Sequence, residues 1–209
     1  MSSTVQICNM AILRVGGKSI SSLTENSREA EICNVFYASC RDQVLSGFPW
    51  NFSKKQEALA LLAAAPPTNW AYAYALPVDC LKVISVVVPG ARVVRSREAI
   101  PFSVGTYAGV RALLTDMPDA ELEYIAAVEE LFFNPAFESC LAWRLASELA
   151  GPLFGKPDLA SAAKQTYYQE LSIARRQDLQ EQSDYEPESE LITVRGVSSD
   201  FLADGRIIR

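Results

Sequence analysis

Apolar residues recur along the chain at two periods, and the switch between them outlines the molecule. Val5, Cys8, Ile12 and Val15 fall three or four apart, the spacing of one stripe on a helix, and Gly16-Gly17 supplies its end. A second stripe runs through Ala30, Cys33, Tyr37, Cys40 and Val44, with Asn26 or Ser27 as cap and Gly47 and Pro49 as stop. Ala58-Leu59-Ala60-Leu61-Leu62 reads as a short helix that Pro66-Pro67 breaks. The period then drops to two. Trp70, Tyr72, Tyr74 and Leu76 alternate with Ala71, Ala73 and Ala75, which predicts a strand with one aromatic face. Residues 81–88 are rich in β-branched side chains and predict a buried strand. Shorter strands are expected at 92–95, 100–104 and 107–114. A last one alternates Leu122, Tyr124 and Ala126 with Glu121, Glu123 and Ile125.

Helical spacing returns at Asn134-Pro135, a capping residue followed by the proline favoured in a first turn. This helix is apolar almost all round to Ala150, which predicts a central position, and Gly151-Pro152 is expected to end it. Pro157-Asp158 opens another, with Leu159, Ala163, Tyr167, Leu171 and Ala174 on one stripe. Beyond Glu181 the pattern fails. Residues 180–190 carry five acids and no base, and only two short apolar patches follow, Leu191, Ile192 and Val194, then Phe201 and Leu202. Such a segment has too little apolar surface to fold alone. The expected architecture is α+β: an antiparallel helical bundle, an inserted, mainly antiparallel β-sheet platform, and an extended C-terminal tail. Residues 1–66 and 129–182 form the two parts of the bundle, 67–128 the β insertion, and 183–209 a tail that orders on a partner.

Composition narrows the classes of function. Hydrophobic residues make up 49% of the 209 positions, enough for a substantial core. The net charge of −6 argues against a freestanding nucleic-acid binder, but suits a wall past which DNA slides without sticking. No basic region precedes an apolar stretch, and no apolar run approaches the ~20 residues of a membrane helix, so a cytosolic setting and no membrane are expected. Five cysteines, an odd number without a CxxC pair, predict core thiols rather than a disulfide framework. The absence of histidine excludes triads with a histidine base and removes half the usual zinc ligands. No cofactor or metal is expected, and no catalytic residue.

Four features could carry chemistry. Gly16-Gly17-Lys18-Ser19 resembles the end of a phosphate-binding loop, but Ile12 holds the position of the required upstream glycine, and a helix precedes it rather than a strand. Asp116 with Asp119, Glu121 with Glu123 and Glu129 with Glu130 are carboxylate pairs of the kind glycoside hydrolysis needs. Glu121 and Glu123 read as the solvated edge of a strand. Arg92, Arg95, Arg97 and Arg111 gather in the β insertion, as phosphate contacts, as charged edge strands, or as partners of an acidic neighbouring subunit. The face of Trp70, Tyr72 and Tyr74 could stack bases, but without basic neighbours it reads as core or subunit interface.

Several patches resemble the tail tubular protein A family, the head-to-tail adaptors of short-tailed bacteriophages. They are Ile7 to Leu13 with Val15-Gly16 and Ile20 to Leu23; Ala30 to Cys33 with Tyr37, Arg41-Asp42 and Phe48 to Phe52; Tyr72 to Leu81; and Tyr124 to Ala126 with Phe137, Leu141 to Ala146 and Tyr168. The likeness spans roughly residues 5–180 and keeps the family's order. It implies one subunit of a twelve-membered ring in the neck of the virion, assembled in the host cytoplasm. The ring would sit between portal protein and tail nozzle protein (tail tubular protein B), and DNA would pass through it without specific binding. It also implies a C-terminal segment that grips the portal, which would place Leu191, Ile192, Val194, Phe201 and Leu202 against it. Arg92, Arg95, Arg97 and Arg111 would then face subunit joints or the nozzle. The alternatives are a neck stopper or head-completion protein, and a tail-associated cell-wall hydrolase.

Overall fold

The computed structural model describes residues 3–64, 66, 69–89 and 100–181. The fold is α+β, with four α-helices and two antiparallel sheets. Helix α1 (Thr4–Arg14) starts at a reciprocal cap: Ser3 Oγ accepts the Gln6 N–H at 3.3 Å, and Gln6 Oε1 accepts the Ser3 N–H at 2.9 Å. It ends where Gly16 takes φ +83, a conformation that a Cβ disfavours. Helix α2 (Arg28–Ser46) is capped by Ser27, with Glu29 and Glu31 at its positive end. Helix α3 (Pro135–Phe154) begins under Asn134, whose Oδ1 accepts the Phe137 N–H at 2.7 Å. Helix α4 (Pro157–Gln180) follows after the left-handed Gly155.

Helix α3 packs against each of the other three helices, as its nearly all-round apolar surface requires. Arg14 ties α1 to it, donating to the Ser139 carbonyl at 2.9 Å and lying 4.4 Å from the Trp143 ring centroid. The aromatic run after α2 fills the junction of helices and sheet. Trp50 is fully buried, donates Nε1–H to the Val44 carbonyl at 3.0 Å, and meets Phe48 and Phe137 at 5.0 and 5.1 Å between ring centroids. Phe133 and Phe52 complete the cluster around Phe137.

One sheet has the order β1 (Lys54–Ala58), β7 (Glu121–Ala126), β4 (Cys80–Val87); the other has β2 (Ala60–Leu61), β3 (Tyr72–Ala75), β6 (Val110–Thr115), β5 (Phe102–Tyr107). A single residue, Leu59, carries the chain from β1 to β2, and its N–H bonds the Ala120 carbonyl at 3.0 Å. Strand β7 faces two cores. Leu122, Tyr124 and Ala126 belong to the apolar cluster that includes Tyr74 and Leu113 of the second sheet, while Ile125 belongs to the cluster of the helices. Two register shifts between β4 and β7, at Cys80/Lys82 and Val83/Ser85, bend this sheet.

The structure corrects several sequence expectations. Residues 58–62 are not a short helix: Lys54–Ala58 pairs with β7 and Ala60–Leu61 with β3. Helix propensity in a five-residue Ala/Leu run is too weak to nucleate alone, and two available strand edges outweigh it. Helix α3 does not stop at Gly151-Pro152 but continues to Phe154, since a proline near a helix end disturbs only the one bond its missing N–H would have made. The hairpin expected around 100–114 turns at Ala108-Gly109, so its first arm is Phe102–Tyr107 and its second Val110–Thr115. Strand β4 is half-buried rather than buried throughout, with Lys82 exposed. Glu121 and Glu123 are not on a sheet edge, because β7 is the middle strand of three. Arg111 also lies on an inner strand, β6. The strand expected at 92–95 and the tail at 183–209 lie outside the described residues.

Candidate functional site

Of the residues singled out in the sequence, Arg92, Arg95, Arg97, Leu191, Ile192, Val194, Phe201 and Leu202 fall outside the described residues. Arg111 can be placed. It projects from β6 and donates Nη1–H to the Cys80 carbonyl at 2.7 Å, linking the second sheet to the start of β4 in the first. This contact holds the two sheets together and engages one arm of the guanidinium.

The candidate phosphate loop is a helix-ending turn. The Gly17 N–H bonds the Ile12 carbonyl at 2.9 Å, and a Cβ on Gly17 would lie 2.7 Å from Ile12 Cγ2, so glycine is required there for packing. The carboxylate pairs are divided among separate partners. Glu121 accepts from Gln56 Nε2 at 2.7 Å and Glu123 from Ser85 Oγ at 2.9 Å, each across a different neighbouring strand. Asp116 accepts the Ala71 N–H at 2.9 Å at the start of the β3 arm. Glu130 accepts the Tyr37 hydroxyl at 3.0 Å, with Arg41 Nη1 at 3.9 Å. In the aromatic face, Tyr72 and Tyr74 stack at 6.2 Å, and Tyr74 is buried with its hydroxyl donating to the Met117 carbonyl at 3.0 Å. Tyr74 is therefore core, while Trp70 and Tyr72 are half-buried.

The densest polar group joins three chain segments that the sequence does not connect. Lys55 of β1 pairs with Asp79 at 2.6 Å, and the Tyr124 hydroxyl lies 3.1 Å from Asp79 Oδ1 and 3.2 Å from Glu57 Oε2. Asp79 is held in place through its backbone, since its carbonyl accepts the Ala127 N–H at 2.7 Å. Burial pushes the Asp79 carboxyl up, but the hydrogen bonds from Lys55 and Tyr124 outweigh it and hold the group below its ordinary range. Burial and the neighbouring carboxylates of Asp79 and Glu57, either of which can accept its single proton, raise the Tyr124 phenol. The group therefore stays ionised at Asp79 and protonated at Tyr124 around neutrality. It acts as a fastener between β1, β7 and the turn before β4. Val78, beside it, is fully exposed, and Leu131 and Phe132 are 51% and 59% exposed, a solvent-facing apolar pair that helical and strand periodicity did not single out.

All five cysteines are buried and free. Burial raises the Cys40 thiol to about 11 and the Cys140 thiol to about 12, so neither is a ready nucleophile. Among the described residues, no three His, Cys, Asp or Glu side chains gather so as to hold a metal ion, and no helix is long and apolar enough to cross a membrane. Comparison with protein-family models and with curated proteins returned no match.

Proposed function

We propose that the chain is a structural head-to-tail adaptor of a short-tailed bacteriophage, a ring subunit that joins portal to tail nozzle and lets DNA through. The reading is carried by the ordered likeness to the tail tubular protein A family, whose patches include many of the residues that hold this fold together. Ile7, Cys8, Ala11 and Ile12 of α1, Trp50 at the junction, Tyr74 and Cys80 between the sheets, and Leu141, Leu145 and Ala146 of α3 are all buried. A likeness concentrated on such positions is a likeness of architecture, and it extends to the antiparallel helical bundle with an inserted platform. Function belongs to surfaces rather than to a fold, so binding must decide it.

In this reading the described domain supplies the ring, and the segment 183–209, through Leu191, Ile192, Val194, Phe201 and Leu202, supplies the grip on the portal. Arg92, Arg95 and Arg97 meet a neighbouring subunit or the nozzle. The test is a deletion of residues 184–209 in the purified protein, with binding measured against purified portal protein of a short-tailed bacteriophage. The deletion should abolish portal binding while circular dichroism and the thermal midpoint stay unchanged. A truncated protein that still binds portals would refute the tail assignment.

A further inference from the structure

Asp178 sits in the last turn of α4 with 1% of its surface exposed. Its two carboxylate oxygens both take the Asn51 backbone N–H, at 3.1 and 3.2 Å, and Asn51 Nδ2–H returns a bond to the Asp178 carbonyl at 2.6 Å. This reciprocal pair connects the end of α4 to the chain that leads from Trp50 into β1. A buried carboxylate that among the described residues takes one backbone N–H is poorly compensated, because a buried anion ordinarily needs a cation or several donors. Among the described residues no Lys or Arg forms an ion pair with it. Lys54, at the start of β1, acts on it only through its field; Glu181, just beyond, opposes that field. Arg175, one turn earlier on α4, is committed elsewhere: it donates to the Gly47 carbonyl at 3.0 Å and lies 5.4 Å from the Phe48 ring centroid.

We propose that Asp178 and Asn51 form a protonation-sensitive clasp that pins the last turn of α4 to the entry of β1, closing more firmly in mild acid than at neutral pH. Opening the clasp carries the carboxylate into water, where its charge is solvated. Closing it returns the charge to a buried place, where the proton is held more readily. Burial pushes the carboxyl of the closed clasp upward, Glu181 adds to this, and the Asn51 N–H and Lys54 offset only part of it. The closed form thus binds more protons than the open one, and lowering the pH through the raised value favours closure. The inference is independent of the adaptor reading.

Amide hydrogen exchange at Asn51 tests it, with protection corrected for the intrinsic pH dependence of exchange. Protection in the full chain should rise as the pH is lowered from about 7.5 through the raised value toward about 4, with the amide of buried Leu113 as reference for global opening. In Asp178→Asn, whose side-chain oxygen still accepts the Asn51 N–H, protection should be flat over that range and already high at neutral pH. A 13C titration of the Asp178 carboxyl in the unaltered protein should share its midpoint with the Asn51 rise, a readout that survives if the variant folds poorly. The proposal is overturned by Asn51 protection that is flat or falls in acid, by Asp178→Asn keeping the slope, by Leu113 tracking Asn51, or by two different midpoints.

Discussion

At the scale of single residues, two positions show how local chemistry departs from the simple pattern. The β5–β6 hairpin turns on Ala108 and Gly109, with φ of +50 and +80. A two-residue turn of this hand matches the twist of the strands, but alanine is strained in it by roughly 1–2 kcal/mol. Ala108→Asn should therefore raise stability by about 0.5–1 kcal/mol, read as a higher urea midpoint at unchanged slope. An unchanged or lower midpoint would show that the strain is not there. The second position is Tyr124. Tyr124→Phe removes the hydroxyl between Asp79 and Glu57 and should cost about 1 kcal/mol at neutral pH. It should also move the Asp79 carboxyl back up toward its ordinary value, visible in a 13C titration. The sign follows from Asp79 being depressed in the fold: its stabilisation is present above the unfolded value and is lost as pH falls through the folded one. The difference between Tyr124→Phe and the unaltered protein should therefore shrink in acid. Neither feature was legible in the sequence. The Tyr124 group draws on residues 55, 57, 79 and 124, and no local spacing marks that convergence.

At the scale of elements, the sequence spoke clearly wherever a stripe was long and its ends chemically marked. Asn134-Pro135 placed the start of α3, and Asn26-Ser27 and Gly47 bracketed α2, with Ser27 proving to be the cap, because capping is a local event written in a few adjacent residues. Asn134→Ala should cost about 1 kcal/mol by leaving the Phe137 N–H without its acceptor, measurable by thermal or urea unfolding; no loss would mean that water replaces the cap freely. Reading failed where elements are short and their partners distant. Residues 58–62 look helical by composition, yet they complete two sheets whose other strands lie near residues 72 and 121. The same distance effect hid the central place of β7. Its alternation was legible, but the strand order β1-β7-β4, which turns Glu121 and Glu123 into hydrogen-bonded partners of both neighbours, was not.

At the scale of the whole molecule, the layered core accounts for the fold. The proposed work lies in what the core leaves to the surface. Glu121, Glu123, Glu130 and the buried cysteines are spent on internal contacts, and Arg111 ties sheet to sheet. The net charge of −6 per chain would give a closed ring of such subunits a strongly acidic body, which repels DNA phosphates provided the acids face the channel. The candidate contact residues stand out by composition and family likeness, not periodicity; a segment that orders only on a partner would carry no repeating pattern of its own. The most direct test is electron microscopy of the purified full chain, alone and mixed with purified portal protein of a short-tailed bacteriophage. The adaptor account predicts closed rings of about twelve subunits stacked coaxially on the portal, as the family likeness implies, and recruitment of nozzle protein only after that stacking. Portals that remain bare, or nozzle protein that joins the chain without a portal, would contradict it.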